Sequence, residues 1–454
     1  MDNIVKVKNE DKNVDKIEDK ITQSFHANLK QPGEQTELLL GLSGGLDSSV
    51  LLFLLAKMQV KFKFNLKAIH LHHGLNSAAD DWVKFCKKKC ESLGINFLSE
   101  KIKINRDSVL GLEGEARKLR YEAIVKKQKG IVVLGHHQND QAETLLLQLF
   151  RGSGLKGLSA MPEFDSRRNF WRPMLNIKRH TLEVYAKVHK IEYIEDESNQ
   201  DEQFDRNFIR QKVLPLIQSR YSASIETISR SASNIAEGHN LNNLIAIDDS
   251  KIHMSVDGTY LFIDSLKKLP KLRVINLIRW WLSLDNLLMP SKKNMDELYR
   301  QLKDIKKDSA LNLKISKDKS VRAYHDKLFI VNSDIKPSSY NFNWSGEDEL
   351  HLPNNTKLQF IKKNSGGLSL SKLGVKSLKI KSRAGGEKLK PFPDQPSRSL
   401  KYLFQNADIP LWERDQIPLI FAKKQLVAIP NLGIHHEYQS SEGEIGYQIN
   451  WLRE

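Results

Sequence analysis

Two rhythms of apolar residues organise the first half of the chain. Short apolar runs occur at Glu37–Leu42 (ELLLGL), Lys67–Leu71, Phe97–Ile104 and Ile131–Gly135 (IVVLG). Such runs are too short for packed helices and read as buried strands. Between them, Ser48–Met58, Asp80–Leu93, Glu113–Lys129 and Asp140–Arg151 carry apolar residues at helical spacing. Alternation of this kind predicts an α/β fold, a parallel sheet with helices on both faces. Ligands of such sheets sit where the strands end, at their carboxyl edge. Residues 1–30 read as a polar lead-in with an amphipathic helix near Ile17–Leu29, and 31–217 as the α/β domain. After Pro215 the strand rhythm stops. Residues 222–333 predict a mainly helical domain, closed by a strand-like stretch at Asn312–Ser333. A small α+β domain is expected over 365–450, where Lys376–Arg383 (KSLKIKSR) reads as a strand with Lys379, Lys381 and Arg383 on one face.

Length supports this division, because 454 residues exceed what one hydrophobic core usually holds. Charge adds a partner: 71 Lys and Arg against 55 Asp and Glu leave +16, a field that attracts polyanions. A basic surface kept for solubility is the alternative. Between 361 and 390 nine basic residues face one acid, Glu387. Cys86 and Cys90 are the sole cysteines, which excludes a disulfide framework and points to a reducing compartment. No apolar run has the roughly 20 residues of a membrane helix, and the charged N-terminus lacks a signal-peptide core. A cytoplasmic location and no membrane partner are therefore expected.

The strongest chemical signal is Ser43-Gly44-Gly45-Leu46-Asp47-Ser48, set between a strand and a helix. Glycines admit phosphate oxygens close to the backbone, and serine hydroxyls, N–H groups and the helix start form an anion nest. The lysine of a GxxxxGK[ST] loop is absent. Asp47, the only acid in the loop, would hold Mg²⁺ beside the phosphates or cap the helix. This SGGxDS string resembles the PP-loop of the N-type ATP pyrophosphatases, which cleave the α–β bond of ATP and leave AMP on the substrate.

Further strings narrow the resemblance: HLHHGLN at His70–Asn76, GHHQNDQAET at Gly135–Thr144, RGSGLKGLSAM at Arg151–Met161, RPML at Arg172–Leu175, EDESN at Glu195–Asn199 and DRNFIR at Asp205–Arg210. Towards the C-terminus come RAGGEKLKPF at Arg383–Phe392 and ADIPLWERDQIPLIF at Ala407–Phe421. Together they resemble the tRNA(Ile)-lysidine synthetases. The resemblance implies a PP-loop catalytic domain over 31–217, with tRNA- or substrate-binding domains over 222–333 and 365–450. It implies ATP and Mg²⁺ as cofactors. The implied substrates are free L-lysine and the isoleucine tRNA with a CAU anticodon, whose wobble cytidine is adenylated at C2 and then converted to lysidine. A homodimer is left open.

By the same resemblance Ser43, Gly44, Gly45, Leu46, Asp47 and Ser48 bind ATP, and Asp140 and Glu143 take the lysine ammonium. Arg117 or Arg120 takes its carboxylate or a phosphate. His137, at the strand exit beside Asp140, is a candidate to orient the α-phosphate or move a proton. His73 and Gly74 are expected near the adenine. Many relatives carry a second Asp where this chain has Asn139, which adds no negative charge. Arg206 and Arg210, four apart, would contact a phosphate of tRNA or ATP, or pair with Glu195 and Asp196; Lys379, Lys381 and Arg383 would contact tRNA. A tRNA thiolase needs reactive cysteines, and Cys86 and Cys90 lie four apart in a predicted helix, away from the loop. A non-catalytic RNA-binding protein would suit the basic stretch but has no need of Asp47, Asp140 or Glu143.

Overall fold

The computed structural model describes residues 16–29, 33–72, 79–102, 111–195, 201–285, 287, 289–305, 311–316, 318–332, 339–353, 355–374 and 377–453. The chain divides into two compact units, Met1–Leu244 and Ile245–Glu454.

The first unit is built on strands β1 (Glu37–Gly41), β2 (Asn65–His72), β3 (Asn96–Lys101), β4 (Ile131–Val133), β5 (Phe164–Asp165) and β6 (Phe170–Trp171). They pair in the order β3-β2-β1-β4-β6-β5, parallel except for the β5–β6 hairpin. Side chains of β1 alternate between two cores, as the strand period of two requires. Leu38 and Leu40 join a core containing α1 (residues 16–28), α2 (Leu46–Phe62), α3 (Ala79–Ser92) and α7 (Arg179–Val188), whereas Leu39 faces Ile124 of α4 (Gly111–Lys127). Both faces are thus covered, and the first unit is the expected parallel α/β sheet.

Helix α1 earns its place through Ile17, Ile21, Phe25 and Leu29, spaced by four and all buried. Phe25 meets Phe62, Phe64 and Trp171 at ring-centroid distances of 5.2–5.7 Å. Trp171 Nε1 donates to Ser24 Oγ at 2.9 Å, and Tyr185 Oη donates to Glu18 at 2.8 Å. Helices α5 (Gln138–Phe150), α6 (Leu155–Leu158), α8 (Asp205–Phe208), a π turn (Ile209–Val213) and α9 (Leu214–Arg220) complete the unit. Ala142 and Leu146 of α5 pack on Ile209, Leu214 and Ile225, which holds the DRNFIR segment against α5.

Helix α10 (Ser224–His253) runs from the first unit into the second. There α11 (Ile263–Leu266), α12 (Lys271–Leu284) and α13 (Lys292–Asp304) pack on an antiparallel sheet ordered β7-β10-β9-β8. Its strands are Tyr260–Phe262, Asn312–Lys314, Lys319–Tyr324 and Lys327–Asn332 for β7 to β10. Strand β7 interrupts the helices of the mainly helical stretch 222–333: three residues give no periodicity, and pairing to β10 makes them a strand. The remainder is β-rich. Strands β11 (Asn341–Trp344), β14 (Leu378–Lys381), β17 (Leu419–Ala422), β18 (Gln425–Ile429) and β19 (Gly433–Ile434) form one sheet. Strands β12 (Glu349–Leu352), β13 (Thr356–Lys363) and β20 (Gly446–Arg453) form another, and β15 (Lys388–Leu389) pairs with β16 (Arg398–Ser399). Among the described residues no helix is long and apolar enough to cross a membrane.

Candidate active site

Strand β1 delivers the chain to a turn that only glycine tolerates. Gly44 has φ +90°, and a Cβ there would lie 3.1 Å from both Cys86 Sγ and Ile194 Cδ1. Gly45 caps α2 in extended conformation. Ser48 Oγ accepts from Gly44 N at 3.2 Å and lies 3.0 Å from Ser43 Oγ, and Ser49 Oγ donates to Gly44 O at 3.2 Å. From outside, Ile194 N donates to Gly44 O at 2.9 Å, and His70 Nδ1 lies 2.9 Å from Leu42 O. The loop is therefore held from three sides before any ligand arrives, with its N–H groups at the start of a 17-residue helix.

The end of β4 is brought against the same helix start. A Cβ on Gly135 would sit 3.3 Å from Asp47 C and Ser48 N, so glycine permits this approach. Two residues on, His137 caps α5: its backbone N–H donates to Asp140 Oδ2 at 3.0 Å, and its ring Nδ1 lies 3.4 Å from Asp140 N and 3.5 Å from Asp140 Oδ2. The other ring nitrogen, Nε2, lies 3.5 Å from Asp47 Oδ2. One buried imidazole thus ties the phosphate loop to the start of α5. Burial opposes protonation of His137, but Asp140, Asp47 and Glu143 outweigh it and hold its pKa above the ordinary imidazole value.

Behind His137 lies a buried ion cluster. Arg206 Nε donates to Glu143 Oε2 at 2.8 Å and its Nη2 to Asp140 Oδ1 at 3.0 Å. Arg210 Nε donates to Glu143 Oε1 at 2.6 Å and its Nη2 to Asp140 Oδ1 at 3.2 Å. Burial pushes the Asp140 carboxyl up, but His137, Arg206 and His136 prevail and hold it well below the usual carboxylate range. In the structure the guanidinium groups of Arg206 and Arg210 pair with Asp140 and Glu143. The helical spacing of four was legible in the sequence; the acceptors, more than 60 residues earlier, were not. Asn139 has its own task, its Oδ1 accepting from Arg179 N at 3.2 Å at the start of α7. An aspartate would serve that bond equally well.

Asp47 Oδ1 is buried and has no hydrogen-bond partner among the described residues. Mg²⁺ takes one or two carboxylates and fills its other positions with water and phosphate. An orphaned carboxylate oxygen beside a phosphate nest fits that donor set. No group of three or more metal-ligating side chains occurs among the described residues, which a Mg²⁺ site completed by phosphates does not need.

His73, Gly74, Asp196 and residues 1–15 lie outside the described residues, as does the side chain of Arg117; Arg120 is exposed on α4. Lys379 and Lys381 lie on β14, where Lys379 is exposed and Lys381 reaches over the Phe421 ring at 5.3 Å. Arg383 lies just past the strand and pairs with Asp415 at 3.1 Å. Cys86 and Cys90 are wholly buried on α3, and burial pushes their thiols up to about 12 and about 11. Buried and held as thiols, they do not favour the sulfur-carrier role of a thiolase, since the thiolate is the reactive form.

Comparison with known proteins matches residues 15–217 to a PP-loop domain, 261–329 to a TilS substrate binding domain and 378–451 to a TilS substrate C-terminal domain. A tRNA(Ile)-lysidine synthase of Nitrosomonas europaea is 35% identical over 95% of both chains. The chain belongs to the tRNA(Ile)-lysidine synthase family. Other lysidine synthases align almost as fully: that of Azoarcus sp. is 34% identical over 92% of both chains. That of Histophilus somni (strain 129Pt) is 37% identical over 88% of this chain and 96% of its own. Lysidine synthase kinship thus covers the loop, the His137 capping box and both later segments in one chain.

Proposed function

We infer that this protein is an ATP-dependent ligase that converts the wobble cytidine of the CAU-anticodon isoleucine tRNA to lysidine. The observation that carries this reading is full-length kinship with lysidine synthases, on a chain whose phosphate loop is intact. The cytosine O2 attacks the α-phosphorus of ATP, the α–β P–O bond breaks, and pyrophosphate leaves into the Ser43–Ser48 nest. The O2-adenylyl group is then the leaving group that cytosine itself lacks. The ε-amine of lysine, having lost a proton, attacks C2, and AMP departs with the oxygen.

Asp47 would hold Mg²⁺ through its buried free oxygen; when bound, the ion neutralises charge on the phosphates as pyrophosphate separates. His137 fixes Asp47 against the end of β4 and carries its proton towards Asp47 Oδ2. Asp140 and Glu143 remain the lysine-binding acids in this account, together with the arginines that neutralise them. Two carboxylates and two guanidinium groups form a charge-balanced cluster, in which an ammonium group of lysine would take the place of a guanidinium. Arg210, whose side chain is 28% exposed, is the entry, while Glu143 at 1% is the anchor. Arg117 would take the lysine carboxylate. Lys379, Lys381 and Arg383 would contact tRNA, the domains over 222–333 and 365–450 would carry that binding, and a cytoplasmic location suits two free thiols.

Pyrophosphate release by the purified protein tests the first half-reaction. Release that requires the CAU transcript, and persists without lysine, supports adenylation of the tRNA. Release that is indifferent to tRNA contradicts it.

A further inference from the structure

Where β1 ends, a histidine takes over from the sheet. Gly41 is the last residue of β1 in register with β2, opposite Ile69. Leu42 still donates its N–H to Ile69 O at 2.9 Å. Its carbonyl lies beyond the ladder, and His70 Nδ1 stands 2.9 Å from that oxygen. A carbonyl oxygen only accepts, so Nδ1 carries the proton and the bond runs from imidazole to backbone.

Alternation along β2 gives no reason for a polar residue here. Leu66 and Ala68 face the first core, while Ile69 and Leu71 face the second. His70 therefore points into the first core, at a position that the strand period of two gives to apolar residues. It is only 4% exposed, and burying an imidazole is unfavourable unless a partner satisfies it. Burial pulls its pKa below the ordinary imidazole value, with the Leu42 bond pulling back, so the ring is neutral at pH 7. Cys86 of α3, in the same core, lies with Sγ 3.5 Å from Nδ1. The same sulfur is what a Cβ on Gly44 would meet at 3.1 Å. Imidazole, thiol and phosphate loop are thus packed together.

In a trans peptide the N–H points away from the C=O of the same unit. A Leu42 carbonyl drawn towards His70 therefore turns the Ser43 N–H to the opposite side of the chain, and Ser43 is an exposed residue of the nest. Oriented N–H groups are what hold an anion in such a nest. Gly44 O, two residues on, is fixed by Ile194 N and Ser49 Oγ. The imidazole bond is what sets the first peptide of the loop. We propose that His70 is a positioning residue for ATP: its Nδ1–H holds the Leu42 carbonyl so that the Ser43 N–H is aimed at the phosphates. This role rests on the ATP-dependent ligase reading and adds to it a residue that acts through the backbone.

The test compares full-length wild type with H70L, H70N and H70Q. Asparagine puts an amide N–H where Nδ1 stands, glutamine puts one where Nε2 stands, and leucine has no donor. Two quantities are read: the Kd for ATP by equilibrium binding, and the KM for ATP and kcat of pyrophosphate release at saturating CAU transcript. H70L and H70Q should raise both Kd and KM for ATP about tenfold, the worth of one N–H donor on a charged oxygen, with the Kd for tRNA within about twofold. H70N should return both to within about threefold of wild type. A fold defect would instead lower the apparent kcat, by shrinking the active fraction, and leave Kd and KM where they were. An unchanged ATP Kd in H70L would overturn the role. So would H70Q recovering as fully as H70N, or H70N binding ATP as weakly as H70L. Failure of the wild type to release pyrophosphate would instead overturn the ligase reading, and the ATP-binding series would then decide the role of His70 by itself.

Discussion

Asp47 carries two demands in one carboxylate: Oδ2 faces His137, and Oδ1 is kept out of water with no hydrogen bond to accept among the described residues. An unpaired buried oxygen is costly unless a ligand completes it, and this oxygen beside the phosphate nest is what supports the proposed Mg²⁺ role of Asp47. Asp47→Ala should lower pyrophosphate release by about 10³-fold or more, while tRNA affinity changes less than twofold. Turnover close to wild type would remove the metal role. His137 supplies a pH test. Its native pKa is raised, so the stability its charge contributes is complete below its unfolded pKa and drains away as pH rises through the native one. His137→Gln should therefore lower the urea midpoint more at pH 6 than at pH 9. The reverse order would show that the imidazole is held neutral. The string HHQND marks this residue in the sequence, yet its cap on α5 and its reach to Asp47 come from two strand ends meeting, which only tertiary structure shows.

Elements explain how the acid pair is held. The DRNFIR segment reads as a basic turn before a helix, and four-residue spacing does place Arg206 and Arg210 on one side. Packing of Ile209 and Leu214 on Ala142 and Leu146 is what presents both arginines to α5. That contact is long-range and left no trace in local pattern. Glu143→Ala strands two guanidinium groups beside a single carboxylate and should cost about 3–5 kcal/mol of stability. A chemical-denaturation midpoint shift is the readout; a neutral effect would mean the cluster opens to water. Helix α1 was legible in its apolar spacing, and the structure shows it embedded in the first core. Removing the Phe25 ring should likewise cost about 3–5 kcal/mol, because that side chain is fully buried. Strand β7 was illegible, since three residues carry no period.

At the scale of the molecule, charge and chemistry lie on different parts of the chain. The densest basic stretch, 361–390, has nine Lys or Arg against one acid, and the parallel sheet that bears the loop was foreseeable from alternating apolar runs. The pairing of Arg383 with Asp415 was not, because Asp415 lies 32 residues further on. K379Q/K381Q/R383Q should weaken tRNA binding and flatten its salt dependence by about two, with Lys379 giving the larger share because Arg383 is already paired. An unchanged slope would take β14 off the tRNA surface. Under the proposed function, one chain joins lysine to the wobble cytidine of a CAU-anticodon isoleucine tRNA. The measurement that tests it most directly is incorporation of radiolabelled lysine into that transcript in the presence of ATP, beside a transcript altered only at the wobble base. Stable label in the CAU tRNA alone, with AMP and pyrophosphate formed in equal amounts, is the predicted result. Label in both tRNAs, or pyrophosphate without label, would contradict it.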